Sequence, residues 1–148
     1  MIEIGGTEQF ACDRNRMHAA LADLEQVAAA LPGLSRIERS GGDSLVCRVR
    51  PGLNFLSGSL RTAITRIEKA GPGVLGYRID SRGIGAGAVA NAHIRCLPDG
   101  EGRSRVEWQV QVEELSGLLK PVGASLIVAA MGKVATATWE GLHTRLDA

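Results

Sequence analysis

The sequence predicts an α+β fold in which an antiparallel seven-stranded sheet carries its helices on one face. Three observations lead there. Six segments between Leu34 and Glu113 alternate apolar and polar residues with period two, separated by Gly, Pro and Asp turns. Before them, apolar residues between Asp13 and Pro32 recur at helical spacing. After Gly117 the helical period returns and runs to Leu146. Strands grouped together between helical stretches indicate an antiparallel sheet packed on helices, not alternating βαβ units.

Taken in order, Ile2 to Phe10 reads as the opening strand. Asp13 can cap a helix whose apolar positions are Met17, Ala20, Leu21, Leu24, Val27 and Leu31, with Asp23 breaking it into two short helices. Pro32-Gly33 ends the pair. Leu34 to Arg39 is the next strand, closed by a Gly41-Gly42 turn. Leu45, Cys47 and Val49 then share one face, opposite Val46, Arg48 and Arg50. Pro51 to Gly58 is a loop carrying Leu53, Phe55 and Leu56. Leu60, Thr62 and Ile64 form the following inward face, and Ala70-Gly71-Pro72-Gly73 turns the chain into Leu75, Tyr77 and Ile79. Past the Pro98-Asp99-Gly100 turn, Val106, Trp108, Val110 and Val112 alternate with Arg105, Glu107, Gln109, Gln111 and Glu113. The last element is one long helix. Pro121 is tolerated only in a first turn, so the helix is expected to start near Leu118 to Lys120. Its apolar positions include Leu119, Val122, Leu126 and Ala130.

The stretch Ser81 to Ala90, SRGIGAGAVA, could suggest a phosphate-wrapping loop. That reading requires a helix opening on the glycines. Instead Ile84, Ala86, Ala88, Ala90, Ala92, Ile94 and Cys96 alternate with residues that become polar from Asn91 onward, which is a strand. Four consecutive inward alanines remove side-chain volume from one stripe of the core. Either a ligand or the long helix must occupy that space.

The 148 residues suit one domain, spanning 1–148, large enough to fold without a metal or disulfide. A net charge of +1 and 3% aromatic residues argue against a nucleic-acid partner. Cys12, Cys47 and Cys96 lack metal or redox spacing and read as buried thiols in a reducing cytosol. No cofactor or metal set is predicted. Met1-Ile2-Glu3-Ile4 has neither a basic region nor an apolar signal core, and Lys120 and Lys133 bracket the longest apolar run, so a soluble, cytoplasmic protein is expected.

Turns of an antiparallel meander alternate between the two ends of the sheet. The loop 51–58, the turn at Ser81-Arg82-Gly83 and the junction 115–120 therefore share one end, expected to be the mouth of a cavity. Its lining is drawn from Val49, Leu60, Thr62, Tyr77 and Ile79, from Ile84, Ala86, Ala88 and Ala90, from Trp108 and Val110, and from Leu119, Val122, Leu126 and Ala130 on the helical side. Phe55 is expected at the lid. Arg50, Arg82 and Lys120 lie near this end and are read as solvated. Tyr77 can serve as a hydrogen-bond donor to a ligand, as an acid, or as a core residue. His18, His93 and His143 do not cluster in sequence, and no nucleophile elbow or metal motif is present. Binding is favoured over catalysis.

The order of elements resembles the helix-grip fold of the START-like, SRPBCC superfamily. In detail it is similar to the CoxG-like family of carbon monoxide dehydrogenase. The matching pieces are Leu31-Pro32-Gly33, Gly58 with the strand after it, Gly83 to Ala90 preceding Leu97-Pro98, and Gly117 and Gly123 before the last helix. Pro121 and Trp139 depart from the family pattern. The resemblance implies a curved sheet wrapped around the C-terminal helix, with an apolar cavity between them. It implies a hydrophobic ligand, lipid- or quinone-like. It also implies an accessory or recruitment role for a carbon monoxide dehydrogenase-type molybdenum enzyme, with peripheral contact to the inner face of the membrane. Some helix-grip proteins are instead polyketide cyclase- or hydrolase-like enzymes that use the same cavity, with Tyr77 here as the candidate acid.

Overall fold

The structure is a computed structural model that describes residues 2–51, 58–67 and 73–147. The expected lid residues Leu53, Phe55 and Leu56, and the turn at Ala70 to Pro72, lie outside the described residues. The strands are β1 (Ile2–Phe10), β2 (Leu34–Gly41), β3 (Ser44–Val49), β4 (Leu60–Ile67), β5 (Val74–Gly83), β6 (Ala86–Pro98) and β7 (Ser104–Gly117). They form one antiparallel sheet in the order β1-β7-β6-β5-β4-β3-β2. β2 to β7 are a meander, and β1 closes the sheet by pairing with the last strand.

Two short helices, α1 (Arg14–Ala22) and α2 (Leu24–Ala30), follow β1. Asp13 caps α1 by accepting from the Arg16 N–H at 2.8 Å. Asp23 both ends α1 and caps α2, accepting from the Glu25 N–H at 3.1 Å, so the break falls where a side-chain acceptor can serve a new helix start.

The C-terminal helix α3 spans Ala124–Leu146, 23 residues or about 34 Å. It starts later than Leu118 to Lys120. Residues 118–122 form tight turns instead, with the Leu119 and Lys120 N–H groups donating three residues back to Ser116 and Gly117. The phase of the helix changes accordingly. It buries Ile127, Trp139, Leu142 and Leu146, whereas Leu126 is 61% exposed.

The core divides into two clusters along α3. The larger gathers Phe10, Met17, Leu21, Trp139, Leu142 and Leu146 with the sheet residues between α1 and β7. There Phe10 stacks on His143 at 4.0 Å and meets Trp139 edge-on at 6.0 Å. Trp108 lies 6.0 Å from Trp139. The smaller cluster is built on Ala86, Leu119 and Ile127, with Ile2, Ala88, Val112, Leu115, Val122 and Met131 packed around it.

Candidate functional site

Between the two clusters, the inner face of the sheet is left partly uncovered. Rungs of the sheet place Ser81 beside Ala88, Ile79 beside Ala90, and Tyr77 beside Ala92. On the far side Ala90 pairs with Val112 and Ala92 with Val110. Thus the predicted alanine stripe exists and lies on one face. Its two ends, Ala86 and Ala92, are buried, while Ala88 and Ala90 in the middle are only half-buried. Val49, Ile79, Val110 and Val112 are half-buried as well, although all face the helix side. Opposite them, α3 presents Met131 and Ala135, which are themselves incompletely covered. Small side chains on the sheet and a short reach from the helix leave an apolar trough. Leu60 and Thr62 close it on the β4 side, both buried.

The trough opens where three corners of the chain meet. Ile84 and Gly85 make the two-residue turn between β5 and β6, with φ of 49° and 75°, the pattern of a type I′ hairpin. Ile84, expected as the first inward strand residue, is instead the tip of the turn, 38% exposed. The Gly85 carbonyl accepts from the Leu118 N–H at 2.8 Å. Gly117 makes this approach possible, since a Cβ there would collide with the Gly85 oxygen. A Cβ on Gly58, from the end of the third corner, would stand 3.1 Å from Ile84 Cγ2. The predicted mouth is therefore one physical end of the molecule. Ile84, Leu118 and Leu126 leave apolar surface there. Leu119 is buried below them and Val122 is half-buried, both in the smaller cluster.

Some expected lining residues serve other purposes. Tyr77 is in the larger cluster, and its hydroxyl donates to the Leu21 carbonyl oxygen. Burial, the largest influence, pushes the phenol well above its ordinary pKa. The candidate acid is thus a core tyrosine with its proton committed. Trp108 packs over Gly6 and against Trp139, toward the closed end. Leu126 points away from the sheet, because neighbouring helix residues diverge by about 100° and Ile127 is the one turned inward. Ala130 is half-buried on the flank of α3.

The sequence pattern puts Ser81 in a turn, yet β5 continues through it to Gly83. Its inward side chain lies opposite Thr62, with the two hydroxyl oxygens 2.9 Å apart. The alternation of Leu75, Tyr77 and Ile79 carries on to Ser81 and is the signal that locates it. Ile127 and Met131 escape the sequence pattern for the reason of helix phase given above.

The outer face is unlike the trough. Arg36, Arg48, Arg61 and Arg82 occupy one continuous rung across four strands. Glu38 serves the first three at 3.3–3.6 Å and Asp80 the fourth at 2.9 Å. His93 is on this outer face. His143 is held by Asp147 at 2.6 Å near the opposite end of α3. The three cysteines are buried and unpaired. Among the described residues no group of three or more His, Cys, Asp or Glu could hold a metal ion. No helix among them is long and apolar enough to cross a membrane.

The sequence profile of the carbon monoxide dehydrogenase family described as CoxG matches residues 6–147. No curated protein matches the sequence. Among solved structures, a conserved protein from Geobacillus kaustophilus superposes with a TM-score of 0.85 at 12% identity, over 97% of this chain and 93% of that one. A START superfamily protein from Mycobacterium smegmatis gives a TM-score of 0.71 at 12% identity, over 97% and 96%. The di-domain ARO/CYC protein BexL, from the BE-7585A biosynthetic pathway, gives 0.69 at 10% identity, with 97% of this chain on 46% of BexL. These likenesses identify the START-like, helix-grip architecture.

Proposed function

The chain belongs to the CoxG family of carbon monoxide dehydrogenase, and on that premise we propose that it binds a hydrophobic small molecule between sheet and α3. The ligand is lipid- or quinone-like, and the protein acts as an accessory or membrane-recruitment factor for a carbon monoxide dehydrogenase-type molybdenum enzyme. One observation carries the binding reading. The apolar inner face at Val49, Ile79, Ala88, Ala90, Val110 and Val112 stays half-exposed in a molecule otherwise able to bury such residues. Apolar surface left in a concave site is what a hydrophobic ligand covers. The exposed Ile84 and Leu118 at the mouth supply an apolar rim suited to collecting a ligand from a bilayer.

The same fold in BexL, an ARO/CYC protein, keeps a cyclase-like reaction in view. Here its candidate acid, Tyr77, is bonded to a main-chain carbonyl and shielded from ionisation. Binding is the function the geometry supports.

The test is ligand retention in wild type and Ala90→Leu, by native mass spectrometry and solvent extraction. Leucine fills the trough where Ala90 now leaves space. An apolar molecule is expected with the wild type and a loss of at least about tenfold in the variant, from displaced contact worth roughly 1.5–3 kcal/mol. If α3 already fills that space, the variant instead loses about 1–3 kcal/mol of stability through overpacking, with retention unchanged. Liposome co-sedimentation of the same pair tests the membrane role.

A further inference from the structure

The trough is apolar except at one rung. Thr62 on β4 and Ser81 on β5 stand directly opposite, with Cys47 on one side and Ala88 on the other. Leu60, Ile64 and Ile79 are the inward residues two positions away along the strands. Thr62 is 5% exposed and Ser81 half-buried. Their oxygens are 2.9 Å apart, and among the described residues neither hydroxyl makes another hydrogen bond.

Hydrogen counting shows what this leaves. Two hydroxyls carry two hydrogens, and a bond between them uses one. Whichever residue donates, the other keeps an O–H with no acceptor. A serine or threonine in a strand interior cannot turn back to its own main chain as it does in a helix, because the ladder holds those carbonyls within the sheet. The spare donor therefore faces the trough, where a donor left unsatisfied is costly.

We propose that the Thr62–Ser81 pair is the polar anchor of the trough, selecting apolar molecules that carry an uncharged acceptor, a carbonyl oxygen, near one end. This rests on the binding reading above and adds to it the ligand's chemical class and direction. An ionised carboxylate is disfavoured, because two neutral hydroxyls do not repay its desolvation and Arg82, on the outer face, is held by Asp80 at 2.9 Å. Ser81 is just inside the turn at Ile84 and Gly85, so the carbonyl lies near the mouth. The hydrocarbon then runs inward past Ala88 and Ala90.

The experiment displaces a neutral fluorophore, N-phenyl-naphthylamine, from the protein. The competitors are a long-chain methyl ketone, the alkane of equal chain length and the fatty acid of equal length. Wild type is expected to prefer the ketone over both. Thr62→Val combined with Ser81→Ala is expected to weaken the ketone about tenfold, the scale of one hydrogen bond, and to leave the alkane unchanged. Ser81→Thr keeps a hydroxyl and is expected to keep the ketone preference. Wild-type protein that holds ketone and alkane equally overturns the proposal, as does an equal loss of both in the double variant. If that variant does not fold, Ser81→Ala alone is read against Ser81→Thr by the same criterion. Failure of the wild type to take up fluorophore, ketone or alkane overturns the binding reading itself, a different result from binding without preference.

Discussion

The Tyr77 hydroxyl donates to the main-chain carbonyl oxygen of Leu21, tying the middle of the sheet to the last turn of α1. The final carbonyls of a helix lack intrahelical donors. Here a side chain from β5 satisfies one of them inside the core. The bond fixes where α1 sits and removes Tyr77 from ligand chemistry.

Tyr77→Phe is therefore expected to cost about 1–3 kcal/mol of folding stability, the penalty for a buried acceptor without its donor. Binding of an apolar probe should not change. Equilibrium denaturation beside fluorophore titration checks both.

The same residue gives an alkaline prediction. Burial raises its folded pKa above the ordinary value of about 10, so the folded state holds the proton more tightly than the unfolded state. This contribution is complete below about pH 10 and is lost as pH rises through the unfolded value toward the folded one. Tyr77 is the one tyrosine in the chain, so phenolate absorbance reports it alone. Phenolate should appear together with unfolding, and Tyr77→Phe should flatten the alkaline fall in stability.

Asp147 predicts the acid side. Partial burial opposes its ionisation, but hydrogen bonds from the Ala11 N–H at 2.9 Å and from His143 outweigh this and hold its carboxyl below the ordinary value. Its contribution is present above the unfolded pKa of about 3.9 and is lost as pH falls through the folded one. Asp147→Ala should reduce stability near neutrality by no more than about 1 kcal/mol, because the group is solvent-screened. The difference from wild type should vanish at the acid end. Melting curves from about pH 2 to 6 show whether the two converge.

Ile84 offers a stabilising substitution. A β-branched residue at φ 49° is in the left-handed region, where a side chain costs roughly 1–2 kcal/mol. Ile84→Asn supplies the residue preferred before glycine in a type I′ turn. Stability should rise by about 1 kcal/mol. If the isoleucine is kept for the apolar rim, liposome binding or ligand uptake should fall in the same variant, and the pair of measurements separates the two effects.

How far the sequence reveals all this depends on what alternation can encode. Period two locates every described strand and puts Ala86, Ala88, Ala90 and Ala92 on one face. It cannot locate the β5–β6 turn, because two residues of turn preserve parity and Ile84 stays in step with the strand. At α3, counting phase from Leu118 misleads. The tight turns around Pro121 break the count, so the pattern points to Leu126 where Ile127 does the packing. The Thr62–Ser81 pair depends on register between strands, which one strand's pattern does not contain. Tyr77's partner in α1 is invisible for a related reason, since helix-to-sheet docking leaves no local trace.

Pairing of β1 with β7 puts the earliest strand beside the latest one. A ribosome delivers them in that order, so β1 has no ladder to join until the whole meander has been made. The bond from Ala11 to Asp147, 136 positions apart, shows how late the final closure comes. Hairpins from β2 onward can form as they emerge, because each contact is local. The first strand must instead stay unpaired and soluble while it waits. Gly5, Gly6 and the charges of Glu3 and Glu8 suit it to that delay, since an interval of poor β-propensity and negative charge discourages pairing with another nascent chain.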